Sequence, residues 1–175
     1  LMTFTRGAPQ DRQVMEINTL LSDLSPMLRR TVEESIQIEY HLSDEQFWID
    51  ADAITIEQVL FHLVANARDA VGTSGRIDIG VESRTRTKGR ERLTEVVIWV
   101  QDDGEGMDLG TRARVFEPFF TTRKGKGVTG LGLSIVYGVA QALSGDVFVD
   151  STLGMGTCVE VHLPVASRPI AARVP

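Results

Sequence analysis

The sequence predicts a domain of the α+β class, a two-layer sandwich in which a mixed, mostly antiparallel sheet is covered by helices on one face. Segments with helical spacing of apolar residues are separated by segments in which apolar and polar residues alternate. Most alternating segments are neighbours in sequence and are joined by turns, which favours antiparallel pairing. The 175 residues, 42% hydrophobic and 24% charged, have the balance of one globular domain.

Three helices are predicted. Apolar residues recur at helical spacing over 13–32, and Pro26 is expected to begin a fresh turn within that run. Asp52 is the predicted N-cap of a second helix, which runs to about Val71. The third covers about 131–143 and is stopped by a glycine.

The alternating segments predict six strands. They are SIQIEYHL, FWIDAD, RIDIGVES, EVVIWVQDD, DVFVDS and TCVEVHLP. The basic stretch RTRTKGRER between the third and fourth is predicted to be a solvated hairpin loop. Residues 103–130 are predicted to be a long loop, and loops of that length are uncommon unless they are functional.

Charge and composition exclude several classes of function. The net charge of -6 argues against nucleic acid as the main partner. We expect no membrane contact, because no apolar run approaches the ~20 residues of a membrane span and no secretory signal opens the chain. The single Cys158 excludes an intramolecular disulfide framework and favours a reducing compartment. We therefore expect a cytoplasmic domain, and leave open an inner-membrane anchor elsewhere in a longer protein.

The second helix carries polar residues beside its apolar stripe. His62, Asn66 and Asp69 lie on or beside one side of it, because residues three and four apart are neighbours. An Asn amide oxygen is a suitable ligand for Mg²⁺, which prefers oxygen. The same pattern also fits a core helix with solvated polar residues, so this motif alone leaves both interpretations open.

The segment QDDGEGMD directly follows a predicted strand. Asp102 is placed to accept a hydrogen bond from an exocyclic amine such as that of adenine, with Asp103 the less favoured neighbour. Gly104 and Gly106 allow the backbone to approach a flat ring closely. A simple Asp/Gly turn is the alternative.

The segment RKGKGVTGLGLS combines cations with glycines at the start of a helix. Arg123, Lys124 and Lys126 precede that helix, whose N-terminal N–H groups are suited to phosphate. The GxxxxGK[ST] order of a P-loop is absent, and the glycines do not follow the first strand of a βαβ unit. A surface loop without a ligand is the alternative.

The three motifs, in this order, resemble the boxes of the histidine kinase catalytic domain. QVLFHLVANARDA resembles the N box, DDGEGM the G1 box, FEPFFTTR the F box and GVTGLGLSIVYGV the G2 box. GMGTCVEVHLP resembles the closing hairpin, and the resemblance covers about 1–164. The GHKL superfamily also includes gyrase, Hsp90 and MutL ATPases, but the F box and GLGLSIVYG favour kinases. The resemblance implies the Bergerat fold with a flexible ATP lid.

The resemblance also implies a division of the chain. Residues 1–12, which begin LMTFTR, are expected to be a remnant of the dimerisation and phosphotransfer helix with its linker. Residues 13–165 are expected to form the catalytic ATP-binding domain, and 166–175 a tail or linker.

The resemblance implies ATP and Mg²⁺ as cofactors, with Asn66 as the Mg²⁺ ligand and Asp102 binding the adenine amine. The residues expected to bind ATP are Asn66, Asp69, Asp102, Gly104, Gly106, Lys124, Lys126, Thr129, Gly130, Leu131, Gly132, Leu133 and Thr157. The residues expected to act in catalysis are His62, Asn66 and Arg123.

The histidines set the limits of this expectation. His62 replaces the first Asn of the N box; it is open whether it binds a phosphate, orients a water, acts as a base near neutral pH or is a tolerated substitution. The H box that carries a phosphoacceptor is absent, and His41 and His162 are expected to be structural or surface residues. The chain is therefore expected to bind ATP without phosphorylating itself.

The implied function is transfer of the γ-phosphoryl group of Mg-ATP to a histidine. The partners would be the dimerisation and phosphotransfer domain of the same protein, as a homodimer, and the receiver domain of a response regulator. Two alternatives stay open: a degenerate nucleotide-binding regulatory module, and another GHKL ATPase or serine kinase of the anti-sigma-factor type.

Overall fold

The computed structural model describes residues 11–88, 91–123 and 129–169. Its elements are β1 (Gln13–Glu16), α1 (Ile17–Arg29), β2 (Ile36–His41), β3 (Trp48–Ala51), α2 (Ala53–Val71), β4 (Gly75–Lys88), β5 (Glu91–Asp102), α3 (Leu109–Arg112), α4 (Gly132–Ala142), β6 (Asp146–Ser151) and β7 (Thr157–Pro164). The LMTFTR segment, the predicted lid residues Lys124 and Lys126 and the end of the predicted tail lie outside the described residues.

Five strands form the main sheet, in the order β2-β4-β5-β7-β6. The β2–β4 pair is parallel and the other three pairs are antiparallel. β1 and β3 form a separate two-stranded antiparallel sheet. The prediction of an α+β fold with a mixed, mostly antiparallel sheet is therefore confirmed.

Strand register places one face of the main sheet against the helices. Ile79 of β4 pairs with Val100 of β5, which in turn pairs with Val159 of β7, and all three are buried. Because successive side chains of a strand point to opposite faces, these residues share the core face. Leu63 of α2 and Val136 of α4 belong to the same core, so the sandwich has a single apolar interior.

The second helix begins and ends as its sequence predicts. The Asp52 carboxylate accepts hydrogen bonds from the backbone N–H groups of Ile54 and Thr55, at 2.8 and 3.3 Å. Gly72 follows α2 with φ of 80°, a conformation that favours glycine. Most of the predicted apolar stripe is buried, whereas the polar residues beside it are partly exposed.

The predicted start of the first helix is wrong. Gln13–Glu16 is a strand that pairs with β3, and the Glu16 carboxylate caps α1 by accepting from the N–H groups of Asn18 and Thr19. Pro26 does not begin a new helix but lies inside α1. Proline cannot donate to the Ser22 carbonyl, and the Ser25 hydroxyl donates to it at 2.8 Å instead.

Two segments that were predicted to be loops contain regular secondary structure. The stretch predicted as a solvated hairpin loop mostly continues the β4–β5 ladder, with the hydroxyls of Thr85 and Thr94 3.2 Å apart across it. The 103–130 segment contains the short helix α3, which was not predicted. Ala166, at the start of the predicted tail, donates its N–H to the Trp48 carbonyl at 2.7 Å.

Among the described residues, no helix has both the length and the apolar character needed to cross a membrane.

Candidate nucleotide-binding site

A cavity of about 630 Å³ lies between α2, the ends of β5 and β7 and the segment before α4. The predicted site residues that line it are His62, Asn66, Asp69, Asp102, Gly106, Arg123, Thr129, Gly130, Gly132, Leu133 and Thr157. Gly104 and Leu131 do not line it. Residues as far apart in the chain as His62 and Thr157 therefore meet around one space.

Asp102 is the buried carboxylate of this cavity. It ends β5, its exposed fraction is 7%, and one of its oxygens accepts from the Gly104 N–H at 2.9 Å. Burial raises the pKa of Asp102 to about 6. Asp103 instead accepts from the Arg76 N–H at 2.8 Å, because the next residue of an extended chain points the other way. The geometry thus favours Asp102 over its neighbour.

A hydroxyl pair supports the floor beside Asp102. Thr157 is the cross-strand partner of Asp102, and its hydroxyl lies 2.9 Å from that of Ser151. The Ser151 hydroxyl also donates to the Gly156 carbonyl at 3.0 Å and accepts from the Met107 N–H at 2.8 Å. Sequence interpretation missed Ser151, whose only signal was a polar residue at the end of β6.

The two glycines of the DDGEGM segment have different roles. A Cβ on Gly104 would lie 2.5 Å from the Ala70 carbonyl carbon. Gly104 therefore lets this loop pack on the last turn of α2 and does not line the cavity. Gly106 does line the cavity, and its φ of 63° is one that glycine adopts without strain.

Asn66, His62 and Gly132 form one wall. The Asn66 Nδ2 atom is buried without a hydrogen-bond partner among the described residues. A Cβ on Gly132 would lie 3.4 Å from both terminal amide atoms of Asn66 and 3.6 Å from His62 Nδ1. Burial lowers the pKa of His62 below its ordinary value, which favours a neutral imidazole. Buried amides without partners are rare, and this one points to a ligand.

Both arginines of the cavity wall have carboxylate partners. Arg123 contacts Glu105, with Nη2 2.6 Å from Oε1. Arg68 donates to Asp69 at 2.7 Å and, through Nη1, to the Thr31 carbonyl at 3.1 Å. Neither Glu105, in the DDGEGM segment, nor Arg68, in the NARDA segment, was predicted to be a site residue. Asp69, which was predicted to bind ATP, is thus already paired with its neighbour Arg68.

The rest of the cavity wall is largely apolar. Its larger apolar side chains, which were not predicted as site residues, are Leu63, Val100, Met107, Val115, Phe120, Leu153 and Val159. Strand alternation predicts burial for Val100 and Val159, but it does not indicate which buried residues border a cavity. An apolar slot with one buried carboxylate at its end is suited to a flat heterocycle that carries an amine.

The other two histidines lie away from this cavity. His41 Nε2 is 2.6 Å from an Asp78 oxygen on the opposite face of the sheet. His162 is 3% exposed, with its ring nitrogens 3.1 Å from carboxylate oxygens of Glu95 and Glu160. The structure therefore shows one surface and one structural histidine.

The fold and this cavity define a class of ATP-binding domain. Residues 51–167 match the family of histidine kinase-, DNA gyrase B- and HSP90-like ATPases, and the chain belongs to that family.

The curated relatives are sensor kinases. The chain is 33% identical over 172 residues to sensor kinase CckA of Brucella abortus, covering 94% of this chain and 18% of CckA. It is 30% identical over 166 residues to signal transduction histidine-protein kinase AtoS of Escherichia coli, covering 94% of this chain and 26% of AtoS. The chain thus spans about a fifth to a quarter of the length of these relatives.

Solved structures share the fold. The structure of full-length ShkA in complex with AMPPNP has a TM-score of 0.75 and 26% identity, covering 95% of this chain and 34% of ShkA. A nucleotide-free catalytic domain of histidine kinase ThkA has a TM-score of 0.72 and 25% identity, covering 88% of this chain and 95% of that domain.

Proposed function

We propose that this chain binds Mg-ATP and transfers the γ-phosphoryl group to a histidine on the dimerisation domain of a two-component sensor kinase. The observation that carries the proposal is that the buried carboxylate of Asp102 shares a cavity with the Asn66 amide, whose Nδ2 has no partner in the described part of the chain. One end of the cavity is suited to a base and the other to a metal-bound phosphate.

Asp102 and the apolar wall would bind the adenine. The ionised carboxylate accepts a hydrogen bond from the exocyclic amine, while Val100, Met107 and Val159 contact the ring faces. Burial strengthens this single polar contact, because little water competes for it. A base without an amine at that position would leave one buried oxygen of the carboxylate without this partner.

The start of α4 would bind the phosphates. Gly130 and Gly132 line the cavity at the N-terminal end of this 11-residue helix, where backbone N–H groups and the helix dipole favour anions. Arg123 also lines the cavity. Lys124 and Lys126 remain proposed phosphate contacts from the lid.

Asn66 is suited to hold Mg²⁺. Its amide supplies one neutral oxygen, and Mg²⁺ accepts one or two protein ligands together with waters and phosphate oxygens. The ion would offset phosphate charge during transfer. The Nδ2 group would then be left to donate to a phosphate oxygen or a water, which accounts for its lack of a partner among the described residues.

The acceptor histidine would come from the dimerisation domain in a homodimer, and a receiver aspartate would take the phosphoryl group next. We place the catalytic domain in the cytoplasm, where ATP and a response regulator are available. His62 borders the phosphate end of the cavity, where its neutral ring can orient a water or contact a phosphate.

The test is phosphoryl transfer in trans. The chain is incubated with radiolabelled Mg-ATP and a separate dimerisation domain that carries an H box. We expect label on a histidine, stable to base and labile to acid, and its loss in the Asn66→Ala variant. Acid-stable label on serine would favour the serine-kinase alternative. Nucleotide binding without transfer to any H-box domain would favour a regulatory module. The observation that supports this alternative is that His62 stands in place of the first Asn of the N box.

A further inference from the structure

Glu105 and Arg123 form an ion pair at the open side of the nucleotide cavity. Arg123 donates to Glu105 Oε1 from Nη2 at 2.6 Å and from Nε at 3.2 Å. Both side chains line the cavity, and Glu105 is 60% exposed. The pair joins the loop after β5 to the segment that precedes residue 124.

The backbones of Glu105 and Arg123 differ in the hydrogen bonds that hold them in place. The Glu105 N–H donates to the Ala70 carbonyl at 3.1 Å, and the Glu105 carbonyl accepts from the Gly154 N–H at 2.7 Å. Glu105 is thereby fixed to both α2 and the β6–β7 hairpin. Within the described residues, the Arg123 N–H has a local contact, with the Thr121 hydroxyl at 3.0 Å. Glu105 is therefore the fixed partner of the pair.

The charges around the cavity make this pair relevant to an anionic ligand. The charged residues that line the described part of the cavity are Arg68, Asp69, Asp102, Glu105, Asp108 and Arg123. Carboxylates outnumber guanidinium groups there, and Arg68 is held by both Asp69 and the Thr31 carbonyl. An ion pair with an exposed carboxylate is weak, so a polyphosphate competes effectively for Arg123.

We propose that Glu105 holds Arg123 while no nucleotide is bound and yields it to the phosphates of an incoming nucleotide. Glu105 then lowers the affinity for polyphosphates and sets how strongly the site prefers ATP to the bare nucleoside. It is a positioning residue, because it acts through Arg123. The inference rests on the proposed function, since it requires phosphates in this cavity.

The Glu105→Gln variant tests this role by calorimetry with Mg-ATP and Mg-ADP and by NMR titration with adenosine. We expect ATP affinity to rise about threefold to fivefold, the factor that an exposed ion pair represents. ADP affinity rises less, and adenosine affinity stays unchanged. Glu39→Gln is the matched control. Glu39 lies on β2, away from the cavity, is 50% exposed, and pairs with Arg76 of β4 at 3.0 Å. It should change none of the three affinities.

The double variant separates the ion pair from simple repulsion. In an Arg123→Ala background, Glu105→Gln should no longer raise ATP affinity. A rise that persists without Arg123 would mean that the Glu105 charge repels phosphate directly, which overturns the proposal. Unchanged or weaker ATP binding by Glu105→Gln, in a protein whose parent chain binds ATP, overturns this inference alone. If the parent chain binds neither ATP nor adenosine, the proposed function is overturned as well.

Discussion

The Asp102 carboxyl group is nearly out of water, at the end of the strand that delivers it to the cavity. Its pKa of about 6 means that it is ionised at pH 8 and mostly protonated at pH 5. Protonation removes the negative charge and puts a hydrogen on one oxygen, which weakens the hydrogen bond from the adenine amine. Adenosine affinity should therefore fall about tenfold between pH 8 and pH 5, in proportion to the ionised fraction.

Adenosine is the suitable probe in that experiment because it has no phosphate to titrate, and NMR titration measures its binding. The Asp102→Asn variant should bind adenosine weakly at both pH values, because its amide cannot change charge. An unchanged affinity of the parent chain across this pH range would contradict the role assigned to Asp102.

The same carboxyl group should lower the stability of the nucleotide-free protein. Its pKa in the folded protein, about 6, lies above its ordinary value of 3.8. For such an acid, the contribution to stability is full at low pH and is lost as pH rises through the window from about 4 to about 6. At pH 8 the free energy of unfolding of Asp102→Asn should then exceed that of the parent chain by roughly 3 kcal/mol, measured as a higher urea midpoint, and the difference should shrink at pH 4. Equal midpoints at pH 8 would contradict this.

At the scale of elements, α4 offers a matched pair of glycine substitutions. A Cβ on Gly132 would meet Asn66 and His62 at ordinary contact distance, so Gly132→Ala should leave the fold intact and narrow the phosphate end of the cavity. A Cβ on Gly138 would meet nothing within 4 Å. Gly138→Ala should raise the free energy of unfolding by about 0.5–1 kcal/mol, because alanine is the better helix former.

Calorimetry and urea denaturation check both variants. Gly132→Ala should weaken Mg-ATP binding at least severalfold without loss of stability, and Gly138→Ala should leave binding unchanged. Equal ATP affinities for the two variants would show that Gly132 does not border the phosphates.

The N-cap of α2 fixes the start of the helix that carries Asn66. Asp52→Ala removes the acceptor of two backbone hydrogen bonds and should lower the free energy of unfolding by about 1 kcal/mol, as measured by urea denaturation. Asp44→Ala, at an exposed position outside the helices, is the control and should have little effect. A loss as large for Asp44 as for Asp52 would contradict the capping role.

At the scale of the whole molecule, helices and sheet share one core, so a ligand in the cavity should stabilise the domain as a unit. Mg-ATP at a hundred times its dissociation constant should add about 2.7 kcal/mol. The melting temperature should then rise by roughly 5–10 °C for a domain of this size. Thermal denaturation of the chain and of Asp102→Asn measures this, and equal shifts in both would contradict the site.

The sequence by itself determined the α+β class, the extent of α2 with its Asp52 cap, and the motifs that meet at the cavity. These features depend on residues close together in the chain, because helical and strand periodicity, caps and turns are local. The same local signals misassigned Gln13–Glu16, whose strand conformation depends on pairing with β3.

Only the tertiary structure decided which of Asp102 and Asp103 faces the cavity, that Gly104 packs on α2, and that Glu105 holds Arg123. It also placed Gly132 against Asn66, residues that are 66 positions apart. Such contacts depend on strand register and on how the helices pack on the sheet, and neither is encoded within a short stretch of chain.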